Sequence, residues 1–176
     1  MDLRFTPFLV LCLAVFSRSR SSAEADTAKE KTLAMVKPDG VEGNFVDTIK
    51  KAILDSGFAV TQEMQLKLDE DVVTRFYAEH SSKGFFPSLV RYMTSGSVVI
   101  MVLEKENAVA DWRDLIGPTD ATKAKVTHPK SIRALCGIDL QRNCVHGSDS
   151  PQSAAREISF FFNEAFSAVA SKHDEL

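Results

Sequence analysis

The stretch Asn143-Cys144-Val145-His146-Gly147-Ser148-Asp149 decides how this chain is read, because it sets an imidazole between an apolar run and the start of a helix. From Ile138 to Val145 apolar residues are interleaved with polar ones, the pattern of a strand. Ser150-Pro151 then supplies an N-cap residue and a proline at the first helical position. Ala154, Ile158, Phe161, Phe162 and Ala165 follow at the spacing of one helical face. His146 therefore stands at a strand-to-helix junction. Such a junction offers unpaired backbone N–H groups and the positive end of a helix dipole, both favourable to phosphate. His146 is read as the reactive residue of a phosphate site.

Upstream, Thr32 to Val36 reads as a first strand that stops at Lys37-Pro38-Asp39-Gly40. Phe45, Ile49, Ala52 and Ile53 trace a helix ended by Gly57. Phe58, Val60, Met64, Leu66 and Leu68 alternate as one face of a half-exposed strand. Val72, Phe76 and His80 mark a second helix, Phe86 to Met93 a third, and Val98 to Leu103 an unbroken apolar central strand. Asn107 to Ile116 is a further short helix, Gly117 to Lys130 a polar loop, and Ser131 to Cys136 a helical turn before the His146 strand. Four strands with helices on one side describe an α+β fold whose sheet is mainly antiparallel. Neither GxxxxGK[ST] nor GxGxxG occurs, so neither common nucleotide-binding fold is signalled.

The two ends read as addresses. Phe5 to Phe16 is a largely apolar run after Arg4 and before Ser21-Ser22-Ala23, the layout of a signal peptide over residues 1–23 and too short for a transmembrane segment. A linker over 24–31 precedes a domain over 32–170, and His173-Asp174-Glu175-Leu176 matches the retention signal that a KDEL/HDEL-type retrieval receptor reads. The expected location is the endoplasmic-reticulum lumen. The net charge is −3, and removing residues 1–23 takes away Asp2, Arg4, Arg18 and Arg20 to leave −5. An acidic body argues against nucleic-acid binding. No Asn-x-Ser/Thr sequon is present. Cys136 and Cys144 have no CxxC spacing and no cluster of histidine partners, so zinc is not indicated. They are expected to be free buried thiols, with a disulfide as the alternative in an oxidising lumen.

A single histidine or arginine is weak evidence, since most are core or surface residues, and His80, His128 and His173 are also present. Lys37, directly after a strand, and Arg133, inside a short helix beside a loop, are placed to face a shared cleft. Four segments together are specific: KPDGV at Lys37 to Val41, FFPSLVRYMTSG at Phe85 to Gly96, SIRALCG at Ser131 to Gly137 and NCVHGSDS at Asn143 to Ser150. Over roughly Lys31 to Phe166 the chain resembles the nucleoside diphosphate kinase family.

That resemblance implies a ferredoxin-like α/β sandwich: a four-stranded, mainly antiparallel sheet with helices packed on it. It implies transfer of the γ-phosphate of ATP to nucleoside diphosphates through a phosphohistidine, with Mg²⁺ carried by the nucleotide and no protein metal site. Such an activity would maintain GTP, UTP and CTP pools. By motif, His146 matches the phosphorylated residue, and Glu157 with Ser148 the pair that orients it. Lys37, Arg113, Thr119 and Arg133 match phosphate contacts, Tyr77 the residue that steadies Lys37, and Asn143 a ribose contact. Phe85, Leu89 and Leu140 match the residues around the base, where stacking without hydrogen bonds implies tolerance of any base. The chain is three residues longer than common members between Thr119 and Arg133 and ends soon after its last helix. A homo-oligomer is implied, with an assembly expected to differ from the family hexamer. The rival reading is a weakly active or inactive nucleotide-binding interaction module of the same fold. A DNA-associated role fits an acidic, lumen-addressed chain poorly.

Overall fold

Two apolar runs form the middle of the sheet. β1 (Glu30–Val36) and β3 (Ser97–Lys105) pair antiparallel along their length, from Glu30 opposite Lys105 to Val36 opposite Val99. Leu33 to Val36 and Val98 to Leu103 are buried without interruption, as expected of strands covered on both faces. β2 (Ala59–Lys67) lies outside β3 and β4 (Val145–Gly147) outside β1, so the order is β2-β3-β1-β4 with every pair antiparallel. This is the ferredoxin-like arrangement.

The computed structural model describes residues 29–164. The signal peptide, most of the linker, the end of the 32–170 domain and the retention tail lie outside the described residues. β1 starts at Glu30, two residues inside the segment read as linker.

Helices cover both faces of the sheet, which corrects the one-sided reading. On one face Ala34, Val36, Met101 and Leu103 pack with α2 (Val46–Asp55), α5 (Ala108–Ile116) and α7 (Ile132–Cys136) through Ile49, Ile53, Trp112 and Ile132. On the other, Leu33, Met35, Val98 and Ile100 meet α3 (Glu70–Phe76), α4 (Phe86–Met93) and Phe161, which follows α8 (Pro151–Ser159). Central strands with no polar face leave neither side for water, and burying both is the favourable solution.

Four further readings are corrected. The apolar residues of β2 do not share one face: Phe58 and Val60 join the first core, Met64, Leu66 and Leu68 the second. A bulge between Val60 and Gln62 adds a residue and reverses the facing. Within 117–130, read as loop, lies α6 (Ala121–Thr127), capped by the Asp120 carboxylate, which accepts from Thr122 N (2.9 Å) and Lys123 N (3.4 Å). The signal was Asp120 ahead of alanines and lysines, an N-cap followed by good helix formers.

The run from 138 to 144 is a closed turn rather than a strand. Ile138 N donates to Arg142 O at 2.7 Å, while Asp139 Oδ1 accepts from Gln141 N (2.9 Å) and Arg142 N (2.6 Å). Local side-chain bonds of this kind compete with a sheet ladder. Because the segment returns on itself, Cys136 and Cys144 meet in a disulfide with Cα atoms 6.0 Å apart, within the usual span and contrary to the free thiols expected.

Candidate active site

His146 lies on the edge strand β4 opposite Met35. Gly147 beside it has no Cβ for a reason: one would fall 2.5 Å from the Trp112 ring, which packs there and donates Nε1–H to His146 O at 3.3 Å. The imidazole Nε2 is 2.8 Å from Glu157 Oε2. The same oxygen accepts from Ser148 Oγ at 2.8 Å, and Ser148 Oγ accepts in turn from Leu33 N at 3.2 Å. Ser148 and Glu157 are buried, so the ring is held by a fixed carboxylate. Phe76 and Tyr77 meet it edge-on, with centroids 5.5 and 6.2 Å away. Burial, and then the nearby Glu157, raise the Tyr77 pKa, so it stays a neutral phenol. With Nε2–H donating to Glu157, the lone pair remains on Nδ1, as expected of a histidine oriented by a second carboxylate.

Two buried cations share the cavity with this ring. Lys37, at the end of β1 and ahead of α1 (Pro38–Glu42), donates Nζ to Gln141 O at 2.7 Å and lies 5.2 Å from the Tyr92 ring centroid. The Tyr92 hydroxyl bonds Asp39. Burial pushes the Lys37 pKa down to about 7, with Asp39 opposing and Arg133 reinforcing the shift. Arg133, on α7, donates Nη1 to Gly117 O (2.7 Å) and Nη2 to Val145 O (3.1 Å). Burial, then Arg113, bring its pKa to about 10, so it is charged at neutral pH. Gly117, at φ +78 and with Ser131 Oγ 2.5 Å from any added Cβ, is the turn that allows this carbonyl to face Arg133. Asn143 Nδ2 donates to Thr119 O (2.7 Å) and Leu140 O (3.0 Å). Arg133 Nε and Asn143 Oδ1 are buried with no partner. An unpartnered buried donor and acceptor are costly unless a ligand meets them.

The cavity holds about 600 Å³ and brings together nine of the expected residues. Lys37, Arg133, Asn143, Thr119 and His146 make its polar part, Tyr77 adjoins His146, and Phe85, Leu89 and Leu140 make its apolar part. Ser148 and Glu157 stand behind the imidazole.

Three placements bear on the expected roles. Arg113 is exposed and does not line the cavity, with Nη1 3.4 Å from Gly147 O, yet it stands close enough to Arg133 for its charge to lower that group's pKa. Tyr77 packs on His146 and His80, while Lys37 is attended by Gln141 and Tyr92, so the aromatic beside the lysine comes from α4. The N-terminus of α8 does not line the cavity, and its Ser153 N–H is taken by Ser150 Oγ at 3.1 Å, so Lys37 and Arg133 supply the positive field instead. His80, Asp139, Gln141 and Val145 also line the cavity and were missed. Asp139 and Gln141 were hidden by reading their segment as a strand; Asp39, within KPDGV, was in plain view.

A ferredoxin-like sandwich carrying a carboxylate-held imidazole beside two buried cations defines a polyphosphate-handling protein with a histidine at its centre. The model of the nucleoside diphosphate kinase family matches residues 30–166. A "Probable nucleoside diphosphate kinase 5" from Arabidopsis thaliana is 60% identical over 144 residues, covering 81% of this chain and 100% of that protein. A "Nucleoside diphosphate kinase" from Histophilus somni is 43% identical over 136 residues, covering 77% and 94%. The crystal structure of the Aquifex aeolicus nucleoside diphosphate kinase superposes with a TM-score of 0.76 at 40% identity, covering 78% of this chain and 97% of that one. The chain belongs to the nucleoside diphosphate kinase family.

Proposed function

We propose that the protein transfers the terminal phosphate of a nucleoside triphosphate, ATP above all, to nucleoside diphosphates in two steps through His146. The observation that carries this is the Glu157 Oε2 to His146 Nε2 contact of 2.8 Å in the same cavity as Lys37 and Arg133. His146 Nδ1 attacks the γ-phosphorus, the bond to the β-phosphate oxygen breaks, and the electron pair leaves with the diphosphate. Glu157 stabilises the positive charge that the ring gains, keeping the Nε2 proton in its hydrogen bond. Lys37 and Arg133 offset the charge on the leaving diphosphate, where positioning and electrostatics carry most of phosphoryl transfer. The acceptor diphosphate then takes the phosphoryl group from Nδ1, and the ring returns neutral. Asn143 Oδ1 fits a sugar hydroxyl, and Phe85, Leu89 and Leu140 fit the base.

Mg²⁺ enters with the nucleotide as part of the substrate. The lining donors are basic and amide groups, and among the described residues the one lining carboxylate, Asp139, is engaged by Arg142 at 2.8 and 2.9 Å. Phosphate oxygens suit the ion better than this donor set does.

Incubation with γ-labelled ATP should give an acid-labile, alkali-stable protein phosphate. A chain that exchanges phosphate without becoming labelled would sink the two-step route. The ends of the sequence support residence in the endoplasmic-reticulum lumen, with retrieval by an HDEL receptor. In intact microsomes a tagged chain with a free C-terminus should resist protease until detergent is added. A homo-oligomer built differently from a hexamer is also proposed, on the lengthened 119–133 segment, and sedimentation as a stable hexamer would overturn it.

A further inference from the structure

The cavity has two walls that no backbone ladder joins at its apolar part. One is α4, with Phe85 at its N-cap and Leu89 in its second turn; the other is the closed turn 138–142, with Leu140 at its tip. Gln141 spans them. Its Nε2 donates to Ser88 O at 3.1 Å, and its Oε1 lies 2.9 Å from Ser88 Oγ, whose single proton it shares with Phe85 O at 2.8 Å, so both ends of one amide face one residue of α4. The backbone of Gln141 is engaged as well: its N–H goes to Asp139 Oδ1 at 2.9 Å and its carbonyl takes the Lys37 ammonium at 2.7 Å.

We infer that Gln141 is a positioning residue that latches the 138–142 turn to α4, setting the width of the slot between Phe85 and Leu140. The inference rests on the kinase reading of the cavity. Phe85 and Leu140 are 51% and 65% exposed, so neither is locked by its own packing. A slot between two such groups keeps its width only if something else ties its walls. The paired amide contacts are the side-chain bonds that do so among the described residues. Walls held before the ligand arrives lower the ordering cost of binding. A pyrimidine presents less stacking area to Phe85 than a purine and depends more on the opposite wall. The latch therefore contributes to even handling of small and large bases.

The test measures calorimetric Kd for Mg-GDP and Mg-CDP, together with kcat and KM, in the full chain. Gln141→Ala removes two neutral hydrogen bonds and is expected to raise Kd about tenfold for CDP and about threefold for GDP, with kcat within about threefold of wild type. Ser88→Ala attacks the latch from α4 and leaves Gln141 in place, so a misfolded Gln141 variant does not end the test; about a threefold rise for CDP is expected. If the two residues act as one latch, the double variant is no worse than Gln141→Ala, whereas independent effects would multiply. Equal loss for both bases, a loss in kcat without one in Kd, or multiplied effects would each overturn the inference. A wild-type chain that binds nucleotide but forms no phosphoenzyme overturns the kinase reading alone, and Kd still decides the latch. A wild-type chain that binds no nucleotide overturns both.

Discussion

At one end of the cavity Lys37, Arg133 and Asn143 are buried, backed by buried Ser148 and Glu157, whereas at the other Phe85 and Leu140 are half-exposed or more. The first group sits on or directly beside β1, β4, α7 and α8, whose positions the sheet and its two cores determine. The second sits at the N-cap of α4 and at the tip of a turn. On the function proposed above, the difference follows from what each end would handle. Phosphoryl transfer needs charges fixed in place before the reaction, in surroundings that do not reorganise. A base that may be any of several needs only a surface to stack on. The buried end is therefore expected to govern kcat and the exposed end KM.

The sharpest way to break that division is His146→Gln, which should abolish both the labelled phosphoenzyme and nucleotide exchange, since no other described imidazole is bonded to a buried carboxylate. If exchange persisted above that of Arg133→Ala, the relay would not be His146. Arg133→Ala should leave slow phosphoenzyme formation, with a loss on the order of 10²–10³ in rate, the cost of removing one fixed donor to developing charge. Single-turnover labelling reads it directly. Glu157→Ala should cost about ten- to a hundredfold, because it orients the ring without touching phosphate; a larger loss than that of Arg133→Ala would make the carboxylate a participant in the chemistry.

At the exposed end, Phe85→Ala should raise KM about tenfold and leave kcat nearly unchanged, the low end of base stacking on an aromatic ring. A fall in kcat instead would erase the contrast between the two ends. The smallest effect concerns protons. Lys37 is half-neutral near pH 7 in the free protein, and a polyphosphate beside it favours the charged form. Nucleotide binding should then take up close to one proton at pH 8, about half at pH 7 and little at pH 6. Calorimetry in buffers of different ionisation enthalpy measures it, and Lys37→Arg should remove it. By the same linkage the free protein binds fewer protons than the unfolded chain between pH 7 and the ordinary lysine range, so its stability should rise with pH across that window.

Much of this was legible in the residues alone. The periodicities of β1, β3, α2, α4 and α5 are local, and each pattern carries its element without help from the rest. His146, Lys37, Arg133 and Asn143 were found because their segments contain chemically unusual groupings. What went unread depends on chain reversals and on facing. Thr61 at a bulge turns half of β2 over, and the Asp139 carboxylate folds 138–142 into a turn where alternation suggested a strand.

The sequence by itself therefore determined the family, the four-stranded sheet and the imidazole on which the proposed transfer centres, since motif and periodicity are properties of neighbouring residues. Only the tertiary structure decided that both sheet faces are covered, that Cys136 and Cys144 meet, that Arg113 stands outside the cavity and that Gln141 ties its walls. Those are relations between segments far apart in the chain or joined by a turn. Their energies come from burial and hydrogen bonds that exist only once the segments are in contact.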